Sequence, residues 1–157
     1  MGMPVSTILR MARCKKMRSV DRLFERYGEF HRHPVNKAIH WACVPLILWS
    51  VLGVAWSLAP LAACAIAAAV EAFVLWLSRS LALGMLLVLA MMLSVLPLLA
   101  PRAFIVSATV FLLAWIGQFV GHIFERRKPA LLEDLRSLLI APAWLLAFVY
   151  RRLGIAY

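Results

Sequence analysis

The chain has 157 residues, of which 64% are hydrophobic and 15% charged, and its formal net charge is +10. Ordinary soluble domains are about 45–50% apolar, and a fold of this length lacks the interior volume to hide the excess, so a soluble globular protein is excluded and lipid is the expected solvent. A nucleic-acid partner is excluded by the distribution of charge: nine of the 17 Lys and Arg residues precede Trp41 and six follow Glu125, flanking apolar segments as headgroup-facing residues do, with no nucleic-acid-binding motif beside them.

Residues 1–20 are basic and free of acids, and Ile8, Leu9 and Ala12 give them an apolar stripe. That composition has something of a mitochondrial presequence, but a cytoplasmic surface helix anchored in the interface is the simpler account. No cleavable secretory signal is expected, because the first apolar run starts only at residue 41. Next, Val20, Leu23, Phe24, Tyr27 and Phe30 recur at helical spacing, with Arg22, Glu25, Arg26 and Glu29 between them. This predicts an amphipathic helix against the bundle or in the interface.

A polar block follows, His31-Arg32-His33-Pro34-Val35-Asn36-Lys37-Ala38-Ile39-His40. Asn36 and His40 are four apart and share a helix face, while His31 lies on the apolar side of the preceding helix. Apolar runs at about 41–58, 61–78, 81–100 and 103–124 come next. At 1.5 Å per residue they reach ~27–33 Å, the thickness of a hydrocarbon core. The links at Ala59-Pro60, Ser78-Arg79-Ser80 and Pro101-Arg102 are short, which predicts sequential antiparallel neighbours. With the N-terminus cytoplasmic, 16 basic residues fall on that side and only Arg102 on the other, so both termini are expected in the cytoplasm. Cys14, Cys43 and Cys64 form no CxxC pair and are expected as reduced thiols.

Glu71 lies near the middle of the second span. An acid there suggests either a proton path or a protonated carboxyl bonded to a neighbouring helix. In the fourth span, Gln118, His122 and Glu125 fall at i, i+4 and i+7, on one face. Gly117 and Gly121 form a GxxxG, which points to close helix packing. Beyond it, Pro129 breaks the helix, Leu131, Leu132, Leu135, Leu138 and Leu139 form an apolar face, and Ala141–Tyr150 is apolar but too short to cross. We read that last stretch as interfacial or re-entrant. The expected architecture is all-α: a single membrane domain over 1–157, with an amphipathic segment at 1–33, four transmembrane helices within 41–124 and a C-terminal interfacial segment at 130–157.

The assigned topology brings both histidine blocks to the same side and similar depth, although it was derived from charge alone. Polar residues on faces buried in an apolar bundle need partners. Imidazoles with a carboxylate and amides at one depth suit a first-row metal, the amides serving to orient the ligands. The competing reading of each residue alone is structural: a tolerated interfacial histidine, an Asn36 cap, or a Glu125 paired with Arg126 or Lys128.

At these residues the sequence resembles the Mpo1-like family. One block is a Tyr before His-x4-Asn-x3-His with a Pro five residues on, here Tyr27, His31, Asn36, His40 and Pro45. A second resembles Trp-x2-Gln-x2-Gly-His-x2-Phe/Glu followed by Pro-Ala-Leu, here Trp115, Gln118, Gly121, His122, Glu125, Pro129, Ala130 and Leu131. Cys43 stands where Gly is common, and His33 where Asn is frequent, so no role is carried to His33. The resemblance covers residues 27 to about 140. It implies an Fe(II)-dependent oxygenase that converts a long-chain 2-hydroxy fatty acid and O2 to the acid one carbon shorter, with loss of CO2. It further implies His31, His40 and His122 as metal ligands, Glu125 as a fourth ligand or acid/base, and Asn36 and Gln118 as orienting groups. The expected location is a bacterial inner membrane, or the endoplasmic reticulum of a eukaryotic cell. The alternative is a small non-enzymatic transporter or assembly factor using Glu71 and the histidines for protons or metal ions.

Overall fold

A computed structural model describes residues 18–29, 31–125 and 136–157, with Glu125 described in its backbone alone. The readings made above for Ile8, Leu9, Ala12, Cys14, Phe30, Arg126, Lys128, Pro129, Leu131, Leu132 and Leu135 lie outside the described residues. Six α-helices account for nearly all the rest: α1 (Ser19–Gly28), α2 (Pro34–Leu58), α3 (Pro60–Leu77), α4 (Arg79–Val95), α5 (Ala103–Glu125) and α6 (Arg136–Arg152), with a 3-10 turn at Leu96–Leu99 continuing α4. Four segments are long and apolar enough to cross a membrane, Pro34–Leu58, Pro60–Leu77, Arg79–Leu99 and Ala103–Phe124. Their outward faces are aliphatic: Leu61 and Leu98 are 80% and 81% exposed. Backbone hydrogen bonds satisfied within each helix and an apolar exterior are what lipid demands of a spanning segment. The chain is an all-α membrane protein.

The first span starts at Pro34, seven residues before the apolar run. Pro34 stands at the first helical position and the His33 side chain accepts a hydrogen bond from the Val35 amide at 3.3 Å. A missing N–H is no loss there, and an N-cap acceptor fixes the start. The polar block is thereby helical, and Asn36 and His40 occupy one buried face of α2.

The spans are not the sequential stack expected from the short links. α2–α3 and α3–α4 are antiparallel neighbours, but α5 hardly touches α4 and packs instead along the whole of α2. Small residues drive this closure. A Cβ on Gly117 would sit 2.7 Å from Cys43 Sγ, one on Gly121 would sit 2.7 Å from Asn36 Oδ1, and Gly53 faces Ser107 with no room for a methyl group. Hydropathy alone does not carry such pairing information; close backbone approach through glycine does. Gly121→Ala should therefore push α5 from α2 beside Asn36. We expect a loss of ~1–3 kcal/mol, the usual cost of overpacking, read as a lower Tm in detergent, with Gly28→Ala, whose Cβ would meet only Trp144 at an ordinary 3.8 Å, changing it less.

α1 buries Val20, Phe24 and Tyr27 and exposes Arg22, Glu25 and Arg26, as its amphipathic pattern predicts. Its apolar face rests on α6. The stretch 141–150 is not a separate re-entrant piece: Leu138 and Leu139 continue into it as one helix that runs through Pro142. α6 buries Ile140, Ala141, Ala143, Trp144, Leu145 and Ala147. It lies across the end of the bundle, where Tyr150 Oη donates to the Ser80 carbonyl at 3.0 Å and Trp41 meets Phe148 edge-on at 5.2 Å. α1, the start of α2, the α3–α4 link and α6 all gather at this one end.

Candidate metal centre

Three of the four histidines converge beneath α6. His31, from the link after α1, His40, from the second turn of α2, and His122, from the last turn of α5, are 0%, 3% and 5% exposed. One ligand nitrogen from each lies within 4.8 Å of the others. The rings meet edge to face: His31 and His40 at 4.1 Å between centroids, His40 and His122 at 5.1 Å, His31 and His122 at 5.5 Å. Among the described residues this is the group of histidines, cysteines and acids gathered for a cation.

Hydrogen bonds dictate the tautomers of two of these rings. His31 Nδ1 lies 2.9 Å from the carbonyl oxygen of Tyr27, and His40 Nδ1 lies 3.0 Å from that of Asn36. A carbonyl only accepts, so both Nδ1 atoms carry hydrogen and both Nε2 atoms carry lone pairs. Those two Nε2 atoms face each other at 2.8 Å. Two lone pairs at that distance repel unless a positive charge, a proton or a metal ion, lies between or beside them. Two nitrogens that each lie ~2.0–2.1 Å from one metal ion are at most ~4 Å apart, so the pair is within reach of a shared ion. Donation of the second ring nitrogen to a carbonyl is the usual way a ligating histidine is oriented. The donor set fits a first-row metal.

The remaining predicted residues are placed differently from one another. Gln118, one turn from His122 on α5, is buried and lines the same cavity. Asn36 is fully buried, but its side-chain oxygen points at Gly121, and it meets the cluster through its backbone carbonyl. Glu125 is the last residue of α5, and its side chain lies outside the described residues. His33 caps α2 and stacks on Phe124 at 5.7 Å, away from the other three. Glu71 does not line the cavity; its Oε2 is buried with no hydrogen-bond partner among the described residues.

Two aromatic neighbours complete the cluster. Tyr27 stacks on His31 at 4.4 Å, and Trp144 packs against both, 5.4 Å from Tyr27 and 5.8 Å from His31. Burial pushes the Tyr27 phenol well above its ordinary range, so it stays neutral beside the histidines. Trp144 escaped the sequence reading because it falls in an apolar stretch where nothing distinguishes one aromatic from another. Trp115, one turn from Gln118, also lines the cavity, and its indole N–H is buried with no partner among the described residues.

A family described as "2-hydroxy-palmitic acid dioxygenase Mpo1-like" matches residues 17–153. A relative from Saccharomyces cerevisiae, named 2-hydroxy-palmitic acid dioxygenase MPO1, is 32% identical over 136 residues, which cover 82% of this chain and 78% of the yeast protein. No solved structure matches.

Proposed function

Because the chain belongs to the Mpo1-like family, we propose that it is an Fe(II)-dependent dioxygenase of fatty-acid α-oxidation. In this reading a long-chain 2-hydroxy fatty acid and O2 become the acid one carbon shorter, CO2 and water. The observation that carries it is the trio of buried histidines with their ligand nitrogens within 4.8 Å. His31, His40 and His122 would hold the iron, which would supply the redox chemistry toward O2. The reaction balances without a further reductant: C2 goes from alcohol to carboxylic acid and C1 from carboxylic acid to CO2. Those two oxidations provide the four electrons that reduce O2, one oxygen atom ending in the product acid or CO2 pool and one in water.

The chain's own residues do the positioning. Tyr27 and Asn36 carbonyls hold the His31 and His40 rings with Nε2 toward the cluster. Gln118 offers an amide on the cavity wall, suited to bind the substrate's carboxylate or hydroxyl, and Glu125 serves as acid/base or as a fourth ligand. Tyr27, Trp144 and α6 cover the histidines and keep bulk water away. Arg126, Arg127 and Lys128 follow on the chain and would draw a carboxylate to that edge. Purified protein given Fe(II), O2 and a 2-hydroxy fatty acid should release CO2 and the shortened acid without 2-oxoglutarate, while the non-hydroxylated acid should be untouched. No consumption of any 2-hydroxy acid by iron-loaded protein ends this reading.

The 16-to-1 distribution of basic residues favours a cytoplasmic location for the histidine end of the bundle and both termini. Reporter fusions after residue 157 and at Ser78–Ser80 should register cytoplasm, and fusions at Ala59-Pro60 the far side; a far-side C-terminus reverses the assignment. The second reading, a proton-linked transporter, is favoured by the buried Oε2 of Glu71, which has no hydrogen-bond partner among the described residues.

A further inference from the structure

The cavity that holds the histidines is far longer than three ligands require. From His40 its floor follows one face of α2 through Val44, Ile47, Leu48 and Val51, residues four, seven, eight and eleven positions on, and eleven residues of helix span ~16 Å. Its sides are Ile66 and Val70 of α3 and Trp115 of α5. α3 and α5 flank α2 without packing on each other, so the space between them is a cleft over α2, roofed at the histidine end by α6. The hairpin at Ala59 fixes the depth of the inner end. Val51 is eight residues before that turn and Ile66 seven after it, so the two face each other at one level, well inside the span.

The chemistry of the lining changes along this path. Histidines and Gln118 occupy the α6 end, and beyond them the wall is aliphatic apart from Trp115, seven residues deeper than His122 on α5. An occupant must be polar at one tip and hydrocarbon for the rest, with its long axis along the bundle. A carbon–carbon bond of ~1.5 Å advances an extended chain by about 1.25 Å per carbon, so ~16 Å accommodates about 13 carbons.

We propose that this cleft is the acyl-chain site, and that Val51 and Ile66 at its inner end set the chain length the protein accepts. The identity of the polar tip as a 2-hydroxy acid rests on the dioxygenase reading; the course of the tail does not. A neighbouring apolar cavity, bounded by Met85, Val88 and Met92 of α4, shares Val44, Leu48 and Pro142 with the cleft and is the competing route for a tail.

Photolabelling of the full chain in lipid nanodiscs tests the path. A 2-hydroxy acid of about 14 carbons with a diazirine at its terminal carbon should label the peptides carrying Val51 and Ile66. Labelling concentrated on Met85–Met92, or spread over lipid-facing residues such as Leu61 and Leu98, overturns the proposal. Length control is tested by displacement of a bound fluorescent fatty acid, with no turnover involved. Val51→Phe and Ile66→Phe should weaken binding of acids of about 16 carbons at least ~10-fold through lost methylene burial, and leave acids of about ten carbons nearly unchanged. Equal weakening at both lengths, or none at either, overturns it. Labelling at Val51 and Ile66 without CO2 release from any 2-hydroxy acid would remove the dioxygenase reading and leave the cleft standing.

Discussion

Alanine at His31, His40 and His122 together should leave a chain that is helical and membrane-inserted but carries no iron. The geometry gives the reason. Two imidazoles turn their Nε2 atoms toward each other at 2.8 Å, each ring fixed by an Nδ1–H bond to a backbone carbonyl, and the third ring stands 5.1–5.5 Å from both. A cation is the stabilising partner for that arrangement, and removing all three rings removes every nitrogen that could bind it. Single replacements should each lose most of the metal, because two remaining imidazoles seldom retain a divalent first-row ion against buffer. His33→Ala should keep its iron, since His33 caps α2 instead of joining the cluster. Acidification should also release the metal, because protons compete for the same lone pairs. The measurement is metal analysis of anaerobically purified protein, with circular dichroism as the control for folding. Full iron retention by the triple variant would sink the site.

Much of this was legible in the sequence, and the reasons are physical. Spanning length is a property of composition, so the four apolar runs mark the four membrane-crossing segments. The i, i+4 spacing of Asn36 and His40, and of Gln118 and His122, put each pair on one face, and charge asymmetry put both pairs at one end. GxxxG at Gly117 and Gly121 signalled close packing, which the α2–α5 contact uses. What escaped was pairing at a distance. Short links implied a sequential stack, whereas glycines at 53, 117 and 121 bring the fourth span onto the first. The start of α2 was readable from His33-Pro34 but was masked by the polarity of the block that follows. The stretch 141–150 read as an interfacial or re-entrant piece for its shortness, yet one helix runs into it and through Pro142, because tertiary packing of Ile140, Ala143, Trp144 and Ala147 outweighs one missing hydrogen bond. Trp144 and the cleft beside α2 belong wholly to tertiary structure and leave no periodic trace.

Two glutamate substitutions should separate the enzyme from the proton carrier, and their expected effects are opposite. Glu125 follows His122 by three residues at the last position of α5, and in the proposed reading its carboxylate takes a proton from the substrate's hydroxyl or returns one to the product. Glu125→Gln keeps size and hydrogen bonding but removes that exchange, so turnover of a 2-hydroxy acid should fall by ~10²-fold or more, as for loss of a general acid/base. Iron content separates its two roles: retained iron with lost turnover identifies an acid/base, and lost iron identifies a fourth ligand. Glu71 stands on α3, off the cavity wall, and a carboxyl there has no path to the reacting carbons. Glu71→Gln preserves its shape and neutral hydrogen bonding, so turnover and iron should both stay within about twofold, the scale of ~0.4 kcal/mol by the usual tenfold-per-1.36 relation. A proton carrier predicts the reverse, because an amide cannot load and release a proton in mid-membrane. The decisive measurements are CO2 release and iron content for both variants in one lipid preparation. If Glu71→Gln alone abolishes function while Glu125→Gln is silent, the dioxygenase assignment gives way to proton-linked transport.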